Sequence, residues 1–176
     1  HYKQAIINDF KEINPAEIND NVIKLIGSDW MLITAGDHVR QNCMTASWGG
    51  VGVMWNYPVA VAVIRPQRFT YEFTEREERL TLSFLGEEYR KALSYCGTHS
   101  GRYEDKIANA GLSVAFTESD TPAIAQARLV LECKKLYVSD LKAENFLDQA
   151  IIDRWYPEKD FHRAYILQIL NAYIKE

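Results

Sequence analysis

QNCMTASWGGVGVMWNYPVAVAVI, residues 41–64, contains no charged side chain. As a helix it would be long enough to cross a bilayer. Its content argues against that: Gln41, Asn42, Thr45, Ser47 and Asn56 are polar, Pro58 breaks a helix, and Gly49, Gly50 and Gly52 weaken one. The stretch reads instead as two strands, Cys43–Trp48 and Val59–Ile64, joined by a Gly-rich turn. No membrane span is expected.

Working outward, Trp30–Ala35, Leu80–Leu85, Ser113–Thr117, Ala127–Val138 and Ala164–Tyr173 are further strands. Asn14-Pro15-Ala16-Glu17 is a helix start: Asn14 caps, Pro15 suits the first turn, and Glu17 stands where a capping-box acid belongs. Ile18, Val22, Ile23, Leu25 and Ile26 give that N-terminal helix, about residues 15–26, its apolar stripe, and Gly27 ends it. Phe69–Glu78, Glu87–Tyr95, Glu104–Ala110 (stopped by Gly111) and Ala143–Ala150 read as helices, and Cys96–Gly101 as a loop. Strands do not alternate regularly with helices, so a doubly wound parallel sheet is disfavoured. The expected class is mainly β with α additions: an antiparallel barrel, closed or nearly so.

At 176 residues, 47% hydrophobic and 25% charged, the chain suits one folded domain, residues 1–176, with a core that needs no staples. A net charge of −4 gives no basic face for nucleic acid. Cys43, Cys96 and Cys133 are too scattered for a thiolate zinc site and odd in number for a disulfide framework, and reduced thiols fit the cytoplasm. The chain begins at His1, so its natural start is open, and no targeting signal is expected ahead of the fold.

Nucleotide motifs fail on inspection. Gly49-Gly50-Val51-Gly52 lacks the third glycine and the following helix of a dinucleotide fingerprint, and no phosphate-loop pattern occurs. Arg65-Pro66-Gln67-Arg68-Phe69-Thr70 lies between a strand and a helix, so two guanidiniums, a hydroxyl and helix-start amides can converge on a phosphate. The alternative is that the arginines pair with Glu72, Glu75 or Glu77. Cys43–Gly50 offers small residues, hydroxyls and an indole, a lining for a flat heterocycle or simply a barrel strand with a Gly bulge. In Ser100-Gly101-Arg102 with Asp105-Lys106, Lys106 reaches an anion or pairs with Glu104 or Asp105. His38, His99 and His162 share no metal-ligand spacing, and no metal is expected. Cys43 and Cys133 read as small buried hydrophobes.

Read in order, Thr45-Ala46-Ser47-Trp48-Gly49-Gly50, Arg65-Pro66-Gln67-Arg68-Phe69-Thr70, Leu82-Ser83-Phe84, Ser100-Gly101-Arg102 with Asp105-Lys106-Ile107, and Gly111-Leu112 resemble the flavin reductase family with its FMN-binding split barrel. Leu131-Glu132-Cys133 and His162 agree with it, and the likeness covers about residues 25–175. The resemblance implies a Greek-key-like antiparallel split barrel working as a homodimer, with FMN near the subunit interface. It implies Thr45, Ala46, Ser47 and Trp48 at the flavin ring, Arg65, Arg68 and Thr70 at the phosphate, and Ser83 and Phe84 along the flavin wall. Ser100, Arg102 and Lys106 would complete the pocket or brace its loop, and His99 and His162 would stand on the substrate side. The implied activity is hydride transfer from NADH or NADPH to flavin N5, with electrons passing on to free flavin or another acceptor. The alternative is an FMN-binding electron carrier, like flavoredoxin, reduced by a protein partner.

Overall fold

The computed structural model describes residues 9–175. Its strands are β1 (Phe10–Ile13), β2 (Met31–Gly36), β3 (Gln41–Ala46), β4 (Gly49–Met54), β5 (Tyr57–Ile64), β6 (Arg79–Phe84), β7 (Val114–Phe116), β8 (Pro122–Ile124), β9 (Leu129–Asp140) and β10 (Arg163–Lys175). The α-helices are α1 (Val22–Lys24), α2 (Phe69–Arg76), α3 (Arg90–Thr98), α4 (Lys106–Asn109) and α5 (Gln149–Trp155).

The main sheet runs β3-β2-β6-β9-β10-β5-β4, all antiparallel, and β1 pairs with the far half of β10. Strands β6, β9 and β10 follow one another, and β5 returns beside β10, which is a Greek key. The two end strands, β3 and β4, are consecutive in sequence and separated only by Ser47 and Trp48. So short a link draws the two ends of the sheet together, yet β3 pairs only with β2 and β4 only with β5. The barrel is therefore split at Ser47–Trp48.

Side-chain alternation sorts the buried residues into two cores. Met31, Ile33, Leu80, Leu82, Phe84, Leu131 and Leu167 fill the barrel. Leu32, Cys43, Leu93, Cys96, Ile107, Ile124 and Val130 form a second core, in which α3, α4 and the β7–β8 hairpin cover the outer face. Burial on both faces is why β2 reads as an uncharged, mostly apolar run, broken only by Thr34, whose hydroxyl donates to the Leu32 carbonyl.

Several boundaries differ from the sequence reading, each for a local reason. The Gly-rich stretch is strand β4 rather than a turn. The turn is Trp55–Asn56, both at positive φ (52° and 61°), the geometry of a two-residue hairpin. At Gly49 (φ 144°), a Cβ would lie 2.3 Å from the Val61 carbonyl oxygen, so glycine there permits close approach to β5. The N-terminal helix is not continuous. Asn14 and Glu17 do form a capping box, but the turn they start is 3-10 and ends at Ile18. Asn21 then caps a new start by accepting from the amides of Ile23 and Lys24, and the chain passes Gly27 in a π-helical turn, Leu25–Asp29. Helix α3 runs on through the expected Cys96 loop because Cys96 is buried in the second core. Strands β1 and β8 had no clear periodicity to announce them, and the late helix starts at Gln149, where Asp148 caps it.

Candidate functional site

A cleft of about 200 Å³ opens at the split. Thr45, Ala46, Ser47 and Trp48 form its shelf, and Arg65, Arg68, Trp155 and His162 its walls. The shelf is held from behind: Thr45 donates to the Leu93 carbonyl of α3 at 2.5 Å, and Gly97 of α3 leaves room for the Thr45 side chain. As terminal strands, β3 and β4 each have a backbone edge that pairs with no other strand. Space above Gly50 is open. A neutral, flat surface with unpaired amides and carbonyls can recognise a planar heterocycle that has donors and acceptors on its rim.

Trp48 stands at the mouth, edge-on to Trp155 with centroids 5.0 Å apart and 5.2 Å from the His162 ring. His162 is buried, and its Nδ1 is 2.6 Å from the Tyr156 hydroxyl. Burial, reinforced by the nearby Arg65 charge, lowers its pKa from 6.5 to about 4, so the ring is neutral near pH 7.

The cations divide sharply. Arg65 is engaged with its own chain: Nη1 pairs with Asp160 at 2.8 Å, Nη2 donates to the Trp155 carbonyl at 2.9 Å, and the guanidinium lies over the Tyr156 ring. Arg68, at the N-cap of α2, has only burial and neighbouring charges acting on it, burial being the main cause of its lowered pKa. Lys106 is 3% exposed and donates to the Cys96 carbonyl at 3.1 Å. Burial, with Arg68 adding to it, lowers its pKa as well. Neither Arg68 nor Lys106 has an ion-pair partner among the described residues, and Cys43 lies in the field of both. The acids that the sequence offered to the arginines are taken elsewhere: Glu72 by Arg102, Glu75 by Arg163 and Glu77 by Arg76.

Other expected site residues lie outside the cleft. Phe84 points into the barrel core, and Ser83 faces outward, where its hydroxyl accepts from the Ile124 amide at 3.2 Å; both are fully buried. Neither can wall a flavin without opening the core. The Thr70 hydroxyl is buried and accepts from the Asn42 amide at 2.8 Å. His99 stacks on Tyr95 at the end of α3. The Ser100 hydroxyl accepts from the Arg102 amide at 3.1 Å, and the Arg102 guanidinium lies over Phe69. Arg102 and Lys106 line an adjoining cleft of about 320 Å³ with Arg40 and Asn42. Sequence reasoning missed Trp155, Tyr156 and Asp160. The aromatic density of Trp155, Tyr156, Phe161 and His162 ahead of the last strand was the available signal. Among the described residues, no cluster of His, Cys, Asp or Glu could hold a metal, and no helix is long and apolar enough to cross a membrane.

A Greek-key sheet whose two ends meet without pairing, with a cleft over a neutral shelf at the join, defines a split-barrel protein. A family model described as a flavin reductase like domain matches residues 24–175, and the chain belongs to that family. Solved structures that share the fold include the following three. The FMN-binding domain of a flavin reductases-like enzyme from Shewanella baltica OS155 is 16% identical, with 99% of this chain and 80% of that one covered and a TM-score of 0.69. Flavoredoxin of Desulfovibrio vulgaris (Miyazaki F) is 20% identical, with 93% and 78% covered and a TM-score of 0.67. An NADH:FAD oxidoreductase of Streptomyces globisporus C-1027, in complex with NAD and FAD fragments, is 17% identical, with 82% and 73% covered and a TM-score of 0.61. No curated protein matches the sequence.

Proposed function

We propose that this chain binds FMN at the split of its barrel and is an NAD(P)H-dependent flavin reductase. One observation carries the reading: among the described residues no acid pairs with Arg68, half-buried in the wall of the shelf's cleft, or with Lys106, buried along the adjoining cleft and close enough to feel the Arg68 charge. Uncompensated buried charge is costly, so a ligand that brings an anion is stabilised there. The phosphate of FMN fits Arg68 and Lys106, and its ring fits Thr45–Trp48. When bound, FMN supplies the redox chemistry, accepting hydride at N5 from a nicotinamide.

The chain's own residues bind, orient and exclude water. Backbone groups of the Thr45–Trp48 shelf orient the ring. Trp48 and Trp155 narrow the mouth against solvent. His162, neutral near pH 7, adds no charge to the site, which suits a reaction needing no protein acid. The cleft is smaller than the roughly 300–1,000 Å³ of complete ligand pockets. The β4–β5 hairpin also exposes Val53, Met54, Trp55 and Tyr57, an apolar patch suited to an interface. A homodimer in which a second copy covers part of the site accounts for both features. The three buried free thiols suit the reducing cytoplasm.

The exposed apolar face of α5 beside the cleft, Ile151 and Trp155 with Leu147 just ahead of them, favours the second reading, an electron carrier reduced by a protein partner. Anaerobic mixing of the FMN-loaded protein with NADH and with NADPH separates the two. Loss of the oxidised flavin absorbance with either dinucleotide supports the reductase. Yellow protein that neither dinucleotide bleaches leaves the carrier, and protein that stays colourless in excess FMN ends both readings.

A further inference from the structure

The long connection between β9 and β10, residues 141–162, forms a cap at the cleft. It has a small aromatic core of its own, Phe146, Tyr156 and Phe161, with ring centroids 4.8–5.9 Å apart. Helix α5 ends at Trp155, which meets Trp48 at the mouth. Lys159, at φ 56°, turns the chain back toward β10, and the His162 carbonyl accepts from the Leu141 amide at 3.0 Å to close the base of the cap.

Among the described residues, the polar ties from the interior of this segment to the barrel come from one place. The Arg65 guanidinium grips Asp160 through both its carboxylate and its carbonyl, donates to the Trp155 carbonyl, and lies 4.9 Å from the centre of the Tyr156 ring. Gln67 adds a hydrogen bond of 2.6 Å to the same Asp160 carboxylate. A planar guanidinium with several fixed donors suits this multipoint grip, and a lysine could not reproduce it. Pro66 between them limits the backbone freedom of the gripping turn.

We propose that Arg65 is the clasp of this cap: a positioning residue that holds Trp155 over the cleft and so sets how readily planar molecules enter it. The gating half of this proposal rests on the flavin-binding reading above; the clasp itself does not. Arg65 thereby leaves the phosphate to Arg68 and Lys106, although it is only three residues from Arg68.

Hydrogen exchange of Arg65→Ala in the unliganded protein tests the clasp. Backbone amides of residues 149–160 should exchange about tenfold faster or more, as the loss of a charge-assisted hydrogen bond implies, while β2, β6 and β9 keep their protection. Asp160→Asn, which retains side-chain size, should reproduce part of the effect, and the double variant should add little to Arg65→Ala. Unchanged exchange over 149–160 in both single variants overturns the clasp. Stopped-flow quenching of FMN fluorescence tests the gate. Association should be several-fold faster in Arg65→Ala, with the preference for FMN over riboflavin retained. Unchanged association, or a preference lost as in Arg68→Ala, overturns the gate. Should the chain bind no flavin at all, the proposed function fails, and the exchange measurement still decides the clasp.

Discussion

Arg65 and Arg68 flank one short turn, and the structure gives them opposite surroundings. Arg65 faces the cap and meets a carboxylate, two carbonyls and an aromatic ring. Arg68 faces the cleft, where burial lowers its pKa and no acid answers its charge. The contrast teaches that residue type and spacing do not assign a cation to a ligand. What decides is whether the chain itself supplies the counter-charge. A satisfied arginine acts as structure, whereas a buried arginine without a partner acts as a receptor.

The largest effect that would break this contrast is on phosphate recognition. Replacing Arg68 and Lys106 together with Ala should weaken FMN about 100-fold or more, since each charge-assisted hydrogen bond contributes ~1.5–3 kcal/mol. Riboflavin, which lacks the phosphate, should lose little. Fluorescence titration of both ligands measures the ratio, and equal losses would remove the phosphate assignment.

The next effect concerns acid stability and sharpens the Arg65 side. The folded His162 pKa is depressed from 6.5 to about 4, by burial first and Arg65 second. Between those values the unfolded chain holds a proton that the folded chain refuses. Its contribution to stability is therefore fully present above pH 6.5 and is lost as pH falls toward 4, by at most roughly 3 kcal/mol. Urea unfolding at pH 7 and pH 4.5 should show the loss, and His162→Phe should flatten this part of the profile. Arg65→Ala should raise the His162 pKa, followed by NMR of the imidazole, because it removes a repelling charge and exposes the ring.

Much of the barrel was legible because its strands bury alternate or both faces: Trp30–Ala35, Val59–Ile64 and Leu80–Leu85 fall within a residue or two of β2, β5 and β6. The shelf at Thr45–Trp48 was legible because a long uncharged run beside glycines stands out in a chain that is 25% charged. The strand character of Gly49–Met54 was hidden, since a close backbone approach and a turn both favour glycine. The Arg65 partners were hidden too, because Trp155 and Asp160 lie 90 and 95 residues away, and only the fold sets that pairing. Thr70, Ser83 and Phe84 had the right order in the chain but the wrong facing. Strand alternation placed Phe84 in the barrel, and Asn42 claimed the Thr70 hydroxyl.

That facing yields a smaller effect. Thr70→Val removes the acceptor of the buried Asn42 amide and should cost about 1–3 kcal/mol of stability, read from denaturant midpoints. The preference for FMN over riboflavin should survive the change; if it collapses, the Thr70 hydroxyl belongs to the phosphate site after all.

The smallest effect is at Arg102. Its guanidinium pairs with Glu72 on the surface, and both side chains are more than two-fifths exposed. Exposed pairs contribute about 0–1 kcal/mol. Arg102→Ala should therefore change stability and the FMN preference only marginally, even though the residue stands four positions from Lys106. A loss at Arg102 as large as at Arg68 would mean that the anion sits within the 320 Å³ cleft that Arg102 lines with Lys106 and Arg40, away from the Thr45–Trp48 shelf. The boundary between structural and receptive cations would then have to be redrawn on that side of the turn.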